Sequence, residues 1–531
     1  MLIDLERSEA PTSLDCDVCV VGSGAVGLVI AANLADRGRS VVLLEGGGVG
    51  LEQRSQDLYR TVSVGHPFKG LSNTRFRVLG GTTTSWGGQV IPLDPIVFED
   101  RPWISNMRWP IQRETLDPFF LKAYGALGLG NVELDDSKVW RFLKYCAPRL
   151  GDDLETVLTR FIPRANFARL FKRHIDQHQK LTVVVHANMT SFSLDEAGTI
   201  VKRIYAQTIA GKTITVRAGA SVLACGAIEN ARLLLQPLHE EKRAPWSDNR
   251  WIGRGFLDHL DSTAGAVTIL DRRRFHDLFD GIHLKGFRYL PKIRLSSAAQ
   301  RRNQLVNISA QFLYDTSEHF DYIKMLYRSV LDGRMPSNIL AAPRHVLPVA
   351  RISLPFILRY LREHRSFKPS NASVSFGLFC EQIPNEDSVV RLSKKERDAL
   401  GMFCTEIDWK INGNEIATFS AFARSVRDGL SRAGLAKIEL DPALEHEDPA
   451  FLTKVHDSNH QMSTTRMAST AQDGVVDVDL RVHGMKNLYV AGASVFPTTG
   501  FANPTFTAIA LALRLCEHLV ESDAPIPSPP P

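Results

Sequence analysis

Cysteine is scarce and poorly placed for cross-linking. The seven thiols (Cys16, Cys19, Cys146, Cys225, Cys380, Cys404 and Cys516) are scattered and odd in number. That speaks against a disulfide framework and for a reducing compartment. No cluster among them could hold an iron–sulfur centre. Cys16 and Cys19 are three apart but lie in or beside a strand, where an odd offset turns side chains to opposite faces. No uninterrupted apolar run reaches membrane-spanning length. The opening MLIDLERSEAPTSLD lacks the basic-then-apolar order of a signal peptide. The expectation is a cytoplasmic protein, although export beside a partner subunit would leave no mark here. A one-sided charge is also missing: 63 basic against 58 acidic residues leave +5. With no basic-aromatic module either, nucleic acid is not an expected partner. No metal site and no internal repeat are expected.

What is present is glycine in a demanding pattern. The chain has 531 residues, 44% of them hydrophobic, enough for a large core and more than one domain. DVCVVGSGAVGLVIAANLADRGRSVVLLEGG (17–47) begins with the apolar run of a buried parallel strand. Gly22, Gly24 and Gly27 then fill the G-x-G-x-x-G slots. The first allows a tight turn, the second lets backbone approach a pyrophosphate, and the third lets helix lie close on strand. The helix start offers free N–H groups and its positive dipole end to phosphates. Gly38 is the expected stop, and the strand from Val41 to Leu44 ends in Glu45, a carboxylate suited to ribose hydroxyls. That acid would repel a 2′-phosphate, which disfavours NADP. The motif by itself does not separate FAD from NAD.

Further along, RVLGGTTTSWGGQVIPLD (77–94) reads as a glycine- and threonine-rich loop, and Pro110 to Leu129 as entry into helical structure. Residues 181–236 are β-rich, with a buried-type strand at Val222 to Ala224, a turn at Gly226 and a helix from Ile228 to Leu235. Residues 265–450 carry long alternating strands, such as 372–384 and 402–411, and a helix from Glu415 to Ala433. This region is the expected substrate domain, built on an antiparallel sheet. In 343–368, Arg344, Arg351, Arg359, Arg362, Arg365 and Lys368 face only Glu363. One reading is a membrane-surface or partner-docking element. The other is a core helix with a solvated basic face, and Pro348 and Pro355 favour that or an oligomer contact. The proline-rich end, 521–531, cannot pack a core and is expected to be disordered.

The segment HQMSTTRMASTAQDGVVDVDLRVHGMKNLYVAGASVFPTTGFANPTFTAIALAL (460–513) resembles the glucose–methanol–choline (GMC) oxidoreductases, most of all pyranose oxidases and bacterial FAD-dependent sugar dehydrogenases. LGGTTTSWGG and VLACGAIENARLLL match the same family, whereas 265–450 matches loosely, through EQIPNEDSVVRLS. The resemblance implies an α/β chain, α+β overall, of p-hydroxybenzoate hydroxylase-like architecture. A discontinuous Rossmann-like FAD domain (12–110, 181–264 and 451–520) would join a helical segment (111–180) and a substrate domain (265–450). FAD would then be the cofactor. Gly22, Gly24, Gly27 and Glu45 would hold its adenosine diphosphate half. Gly80, Gly81, Thr82, Ser85, Trp86 and Gly87 would follow the pyrophosphate and ring, and Asn188 would pass the adenine. Ala224 and Gly226 form another turn beside the sheet. Ala493, Pro504 and Thr505 would approach the pyrimidine end of the flavin.

Aligning H-x-x-x-T-x-R-M and GFANPT with the family places His460 on its catalytic histidine and Asn503 on the partner of that histidine. A neutral imidazole is suited to take a hydroxyl proton as hydride leaves the carbon. An asparagine amide can hold the same oxygen but cannot act as a base. His456 competes for the base role, His259 and His483 read as structural, and Asn503 could equally cap the helix that follows. Pyranose oxidases commonly carry a flavin-linked histidine where this chain has Ser85, so FAD is expected to be noncovalent. The expected reaction is oxidation of a sugar, glycoside or polyol hydroxyl. A non-sugar alcohol, or a lyase keeping FAD without redox use, are the alternatives, and a NAD-dependent Rossmann protein is disfavoured by the C-terminal block. The electron acceptor would be O₂, a quinone or a separate carrier.

Overall fold

The computed structural model describes the chain except residues 8, 72–73, 106, 240–242, 316–345, 370 and 522–531; in the helix beginning at Val346, side chains are described from Pro355 onward. Three sheets organise the described residues. The first has eight strands, in the order Leu2–Asp4, Leu181–Val185, Val41–Leu44, Ser13–Val21, Thr213–Leu223, Val201–Gln207 and Asn188–Leu194, with Leu488–Val490 also paired to Thr213–Leu223. Its first five strands and Leu488–Val490 run parallel, and the last two return antiparallel. Parallel strands are covered on both faces, which is why VVLL and DVCVV are apolar throughout rather than alternating. The helix Ala25–Asp36 packs on this sheet and against Pro504–Glu521. Gly38, with φ +84°, follows its last turn as expected. Phe506 of the C-terminal helix stacks on Phe120 (5.5 Å) and Tyr124 (4.6 Å) of Asp117–Ala126.

The second sheet has nine strands and is antiparallel in every pairing. Its order is Ala436–Leu440, Leu260–Ile269, Ser373–Cys380, Ile308–Asp315, Phe287–Leu295, Leu154–Phe161 and Gln89–Val90, with Ile282–Leu284 and His456–Asp457 attached. The helix Glu415–Arg432 packs on it, at the place read from the sequence. Two expectations need correction. Residues 111–180 are not wholly helical, because Leu154–Phe161 (LETVLTRF) is a strand; its β-branched residues suit a half-buried pleated surface. The alternating stretch 402–411 forms a strand, Phe403–Asp408, but in a separate three-stranded sheet with Val389–Arg397 and Thr61–Ser63. Alternation sets the side-chain faces of a strand, not its partner, and here the nearest chain neighbour takes it.

The basic segment also departs from expectation. Arg344 lies outside the described residues, as does the side chain of Arg351. Arg359 is not solvated: it meets Glu363 at 2.5 Å, Asp280 at 3.3 Å and Asp277 at 3.5 Å. Arg365 is 1% exposed, with its guanidinium over the rings of Trp140 (5.5 Å) and Tyr145 (5.9 Å). Arg362 is exposed, and Ile357, Leu358 and Leu361 face outward beside it. Among the described residues no helix is long and apolar enough to cross a membrane. The proline-rich end from 522 lies outside the described residues.

His186, with a left-handed φ of +56°, ties the N-terminal strand to the first sheet. Its Nδ1 lies 2.7 Å from Asp4 Oδ1 and its Nε2 3.2 Å from Glu52 Oε1. Asp4, Glu6 and His186 are close enough to hold a metal ion, but these contacts already satisfy the ring. Burial alone would lower the pKa of His186; the hydrogen bonds to Asp4 and Glu52 outweigh it and raise the pKa above 6.5. A raised histidine stabilises the fold fully below its unfolded pKa, and that contribution is lost as pH rises through the folded one. Thermal melting of wild type should therefore show a stability decline just above about pH 6.5. His186→Asn, which tolerates the same backbone, should flatten that decline.

Candidate functional site

Three parallel strands end at one edge of the first sheet, and each is followed by a glycine in left-handed backbone: Gly22 (φ +97°), Gly226 (φ +84°) and Gly492 (φ +120°). Backbone hydrogen bonds hold the strand ends together, from Ala224 N to Val21 O and from Ala491 N to Leu223 O, both 2.8 Å. Ligands of open α/β sheets lie at such an edge, outside the carboxyl ends of the strands. A cavity opens there. Of the residues singled out from the sequence, Gly22, Gly24, Glu45, Gly81, Thr82, Trp86, Asn188, Ala224, Gly226, Ala493 and Thr505 line it. Gly27, Gly80, Ser85, Gly87 and Pro504 do not. Gly27 packs on the turn, where an added Cβ would sit 1.8 Å from Gly22 O. The N–H of Gly80 donates to Ser23 Oγ at 3.1 Å. Ser85 and Gly87 are exposed, and Pro504 opens the final helix.

The cavity wall suits a dinucleotide. An added Cβ at Gly24, Gly226 or Gly492 would meet no protein atom within 4 Å. The helix Ala25–Asp36 begins at Gly24 with no side-chain cap, so its first N–H groups are free for phosphate oxygens. Glu45 accepts from Ser23 N (3.0 Å) and Ser23 Oγ (2.6 Å) on Oε2, and from Gly47 N (2.9 Å) on Oε1. Oε1 keeps a lone pair for a ribose hydroxyl. Burial raises the Glu45 pKa, against those three hydrogen bonds. Beside it, Asn188 Oδ1 and the Nε and Nη1 of Arg77 are buried without a hydrogen-bond partner. Buried polar atoms of this kind normally have partners, and a nucleoside would supply them.

Arg77 was not singled out from the sequence, nor were its neighbours. Its guanidinium lies 4.8 Å from the Tyr59 ring centroid and 3.9 Å from Glu229, which also meets Arg232 at 3.3 Å. Burial would raise the Glu229 carboxyl, but Arg232, Arg77 and Arg75 outweigh it and hold it low. The available signal was local: Arg75 and Arg77 stand just ahead of LGGTTTSWGG.

His460 and Asn503 lie on segments that continue from the cavity wall. Ser463 N donates to Ala493 O at 3.1 Å, so the His460 loop runs along the Gly492 turn. Asn503 stands two residues before Thr505. The structure brings the pair together: Asn503 Nδ2 donates to His460 Nε2 at 3.0 Å. His460 Nδ1 lies 3.0 Å from Nδ1 of His259, a residue read from the sequence as structural. One tautomer set satisfies both contacts, with the proton of His460 on Nδ1 and a lone pair on Nε2. Burial, then the charge of Lys292, lowers the pKa of His460 to about 4. His259 is also pushed well down, by burial, His460 and Lys292. Both rings are therefore neutral near pH 7. His456 is instead paired into the sheet edge, with Nδ1 at 3.0 Å from Asp457 O, and Nε2 of His483 lies 3.2 Å from Ala468 O.

Two buried groups hold this arrangement. The Asp258 carboxylate accepts the N–H groups of His259 (2.7 Å), Ser458 (3.0 Å) and His460 (2.8 Å). Asn307 Oδ1 accepts the Phe501 N–H at 2.9 Å, and Asn307 N donates to Glu381, which Arg101 clamps with two 2.7 Å bonds.

The cavity is walled for a dinucleotide, and the histidine–asparagine pair stands on segments that continue from that wall. Residues 384–512 match the family described as GMC oxidoreductase, and residues 20–74 match the NAD(P)-binding Rossmann-like domain. The two matches together cover well under half of the chain. The chain is 33% identical over 151 residues to a C-glycoside 3-oxidase of Microbacterium trichothecenolyticum, covering 28% of this chain and 27% of that protein. The first such relatives are thus matched over about a quarter of their length. A 6'''-hydroxyparomomycin C oxidase of Streptomyces lividus is 23% identical over 96% of this chain and 92% of its own. The fold is that of the pyridoxine 4-oxidase from Mesorbium loti: TM-score 0.57, 19% identity, 95% of this chain and 99% of that one. FAD is the cofactor the family implies, and the cavity wall fits it.

The two motif glycines should separate on substitution. Gly24→Ala adds a methyl to the cavity alone, so melting should stay near wild type while flavin content falls sharply. Gly27→Ala forces helix from strand and should cost about 1–3 kcal/mol of stability as well. Flavin absorbance per mole and thermal melting, read together, check both.

Proposed function

We propose that the chain oxidises a hydroxyl of a sugar, glycoside or polyol to a carbonyl, with noncovalently held FAD. FAD, when bound, supplies an acceptor for the hydride leaving the substrate carbon. The observation that carries the reading is His460 Nε2, half-buried, neutral and 3.0 Å from Asn503 Nδ2, on a loop beside the cavity wall. A substrate hydroxyl entering between them donates to Nε2, and the Asn503 amide turns to donate to the substrate oxygen. His460 takes the proton as the carbon–oxygen double bond forms, and Asn503 holds the oxygen in line. His259 Nδ1 accepts from His460 Nδ1 and so keeps the lone pair on Nε2. Asp258 fixes the backbone of both histidines. Gly22, Gly24 and Glu45 would hold the adenosine end, Asn188 and Arg77 would flank the nucleoside, and the turn at Ala493 to the helix start at Thr505 would hold the ring end. Ser85 cannot form a histidyl link, which supports noncovalent binding. O₂, a quinone or a separate carrier would take the electrons onward.

The similarity to C-glycoside 3-oxidase supports a sugar substrate over an apolar alcohol. Anaerobic bleaching of the flavin by sugars and glycosides, set against apolar alcohols, decides the substrate class. His460→Ala should stay yellow and lose about 10²–10⁴-fold in the rate of substrate bleaching. Bleaching by wild type should hold level below neutrality and fall only towards about pH 4, where His460 gains its proton. A full rate in His460→Ala would move the base to His456 or elsewhere.

A further inference from the structure

Lys292, in the strand Phe287–Leu295, is 4% exposed. Its ammonium makes no hydrogen bond or ion pair with any described residue. Two rings form its walls, with centroids at 4.6 Å for Phe379 and 5.9 Å for Phe501. Phe501 stands two residues before Asn503, so the charge sits beside the reacting pair and depresses both His460 and His259. Arg294, two residues on and on the same face of the strand, is fully engaged with Asp94 and with Glu155 at 2.8 Å. Register carries that face across the sheet from Arg294 to Ser309, Phe379 and Asp261. Asp261 acts on Lys292 through its charge but stays beyond ion-pair distance, and it meets Ser458 at 3.3 Å. Lysine is almost never buried without a partner.

We infer that Lys292 is the recognition residue for a carboxylate carried by the substrate, so that the substrates are acidic sugars or glycosides of the uronide type. This deepens the proposed sugar oxidation and rests on it. One ammonium beside two aromatic rings suits a planar monoanion: the carboxylate accepts from Nζ. The titratable groups whose charge couples to the ammonium among the described residues are Asp261, His259 and His460, and Arg294 follows on the same face of the strand. None supplies Lys292 with an ion pair.

The test compares methyl β-D-glucuronide with methyl β-D-glucoside as reductants of the holoenzyme flavin without oxygen. Wild type should favour the uronide, and Lys292→Met should lose about 10- to 100-fold more in kcat/KM on the uronide than on the glucoside. Lys292→Arg should retain part of the preference. In wild type the preference should fade as pH rises through about 8, where burial places the Lys292 pKa. Equal losses on both sugars, or no preference in wild type, would overturn the inference. A second arm needs no turnover: D-glucuronate should change flavin fluorescence in wild type and Lys292→Arg but not in Lys292→Met. If neither sugar bleaches the flavin but glucuronate still binds through Lys292, the sugar-oxidation reading fails and the anion site stands. If bleaching occurs without discrimination in either arm, the anion site fails alone.

Discussion

The strand Thr213–Leu223 lies between Ser13–Val21 and Leu488–Val490, all parallel, although the three are far apart in sequence. Parallel strands put all their carboxyl ends at one edge, and each of these then needs a sharp turn before helix or turn structure resumes. Gly22, Gly226 and Gly492 provide it with positive φ, a region where a side chain would be strained. The consequence is that the wall at these three turns is backbone. N–H groups and glycine Cα atoms face the cavity, and a phosphate can come close to them. Were the C-terminal strand to pair elsewhere, the edge would lose Gly492 and Ala493, and the chain carrying Asn503 would leave with them.

The His460–Asn503 pair hangs from that edge by short links. His460 lies between Asp258 below its backbone, His259 at one ring nitrogen and Asn503 at the other. Asp258 belongs to the stretch entering the large antiparallel sheet, whereas Asn503 opens the helix on the parallel one. The histidine is therefore a joint between the two layers, and its orientation reports their relative position. Burial raises the Asp258 carboxyl well above its ordinary value, with Asp457 adding to the effect. Three N–H donors offset part of that cost. Such a centre resists small shifts, which fits the base role proposed for His460.

How much of this was legible depends on whether a requirement was local. The glycines at 22, 24 and 27 answer to backbone geometry within a few residues, so their spacing alone located the turn. The helix Glu415–Arg432 announced itself by its periodicity. Sheet membership did not: Phe403–Asp408 alternates as well as Ser373–Cys380, yet the two join different sheets, because pairing is decided by chain proximity and packing. His259 in GFLDHLD carries no spacing relative to His460, 201 residues away, and only the fold brings the rings to 3.0 Å. Arg359 and Arg365 looked solvated because their counter-charges and rings come from distant elements. Arg77 and Lys292 are single cations in ordinary surroundings on paper; burial alone makes them conspicuous.

The placing of Lys292 near His460 follows a consistent electrostatic logic. An imidazole that must accept a proton needs to be free of one beforehand, and a neighbouring ammonium in a low-dielectric wall keeps it so. Burial makes the same ammonium less able to hold its own proton and brings Lys292 to about 8, while burial first and the lysine's charge second bring His460 to about 4. An anion on Lys292 would change both at once. It would cancel much of the field that weakens His460 as a base, and it would stabilise the charged form of the lysine. The histidine would then become more basic when such a substrate is seated, so that binding energy from a remote group would be used at the reacting one.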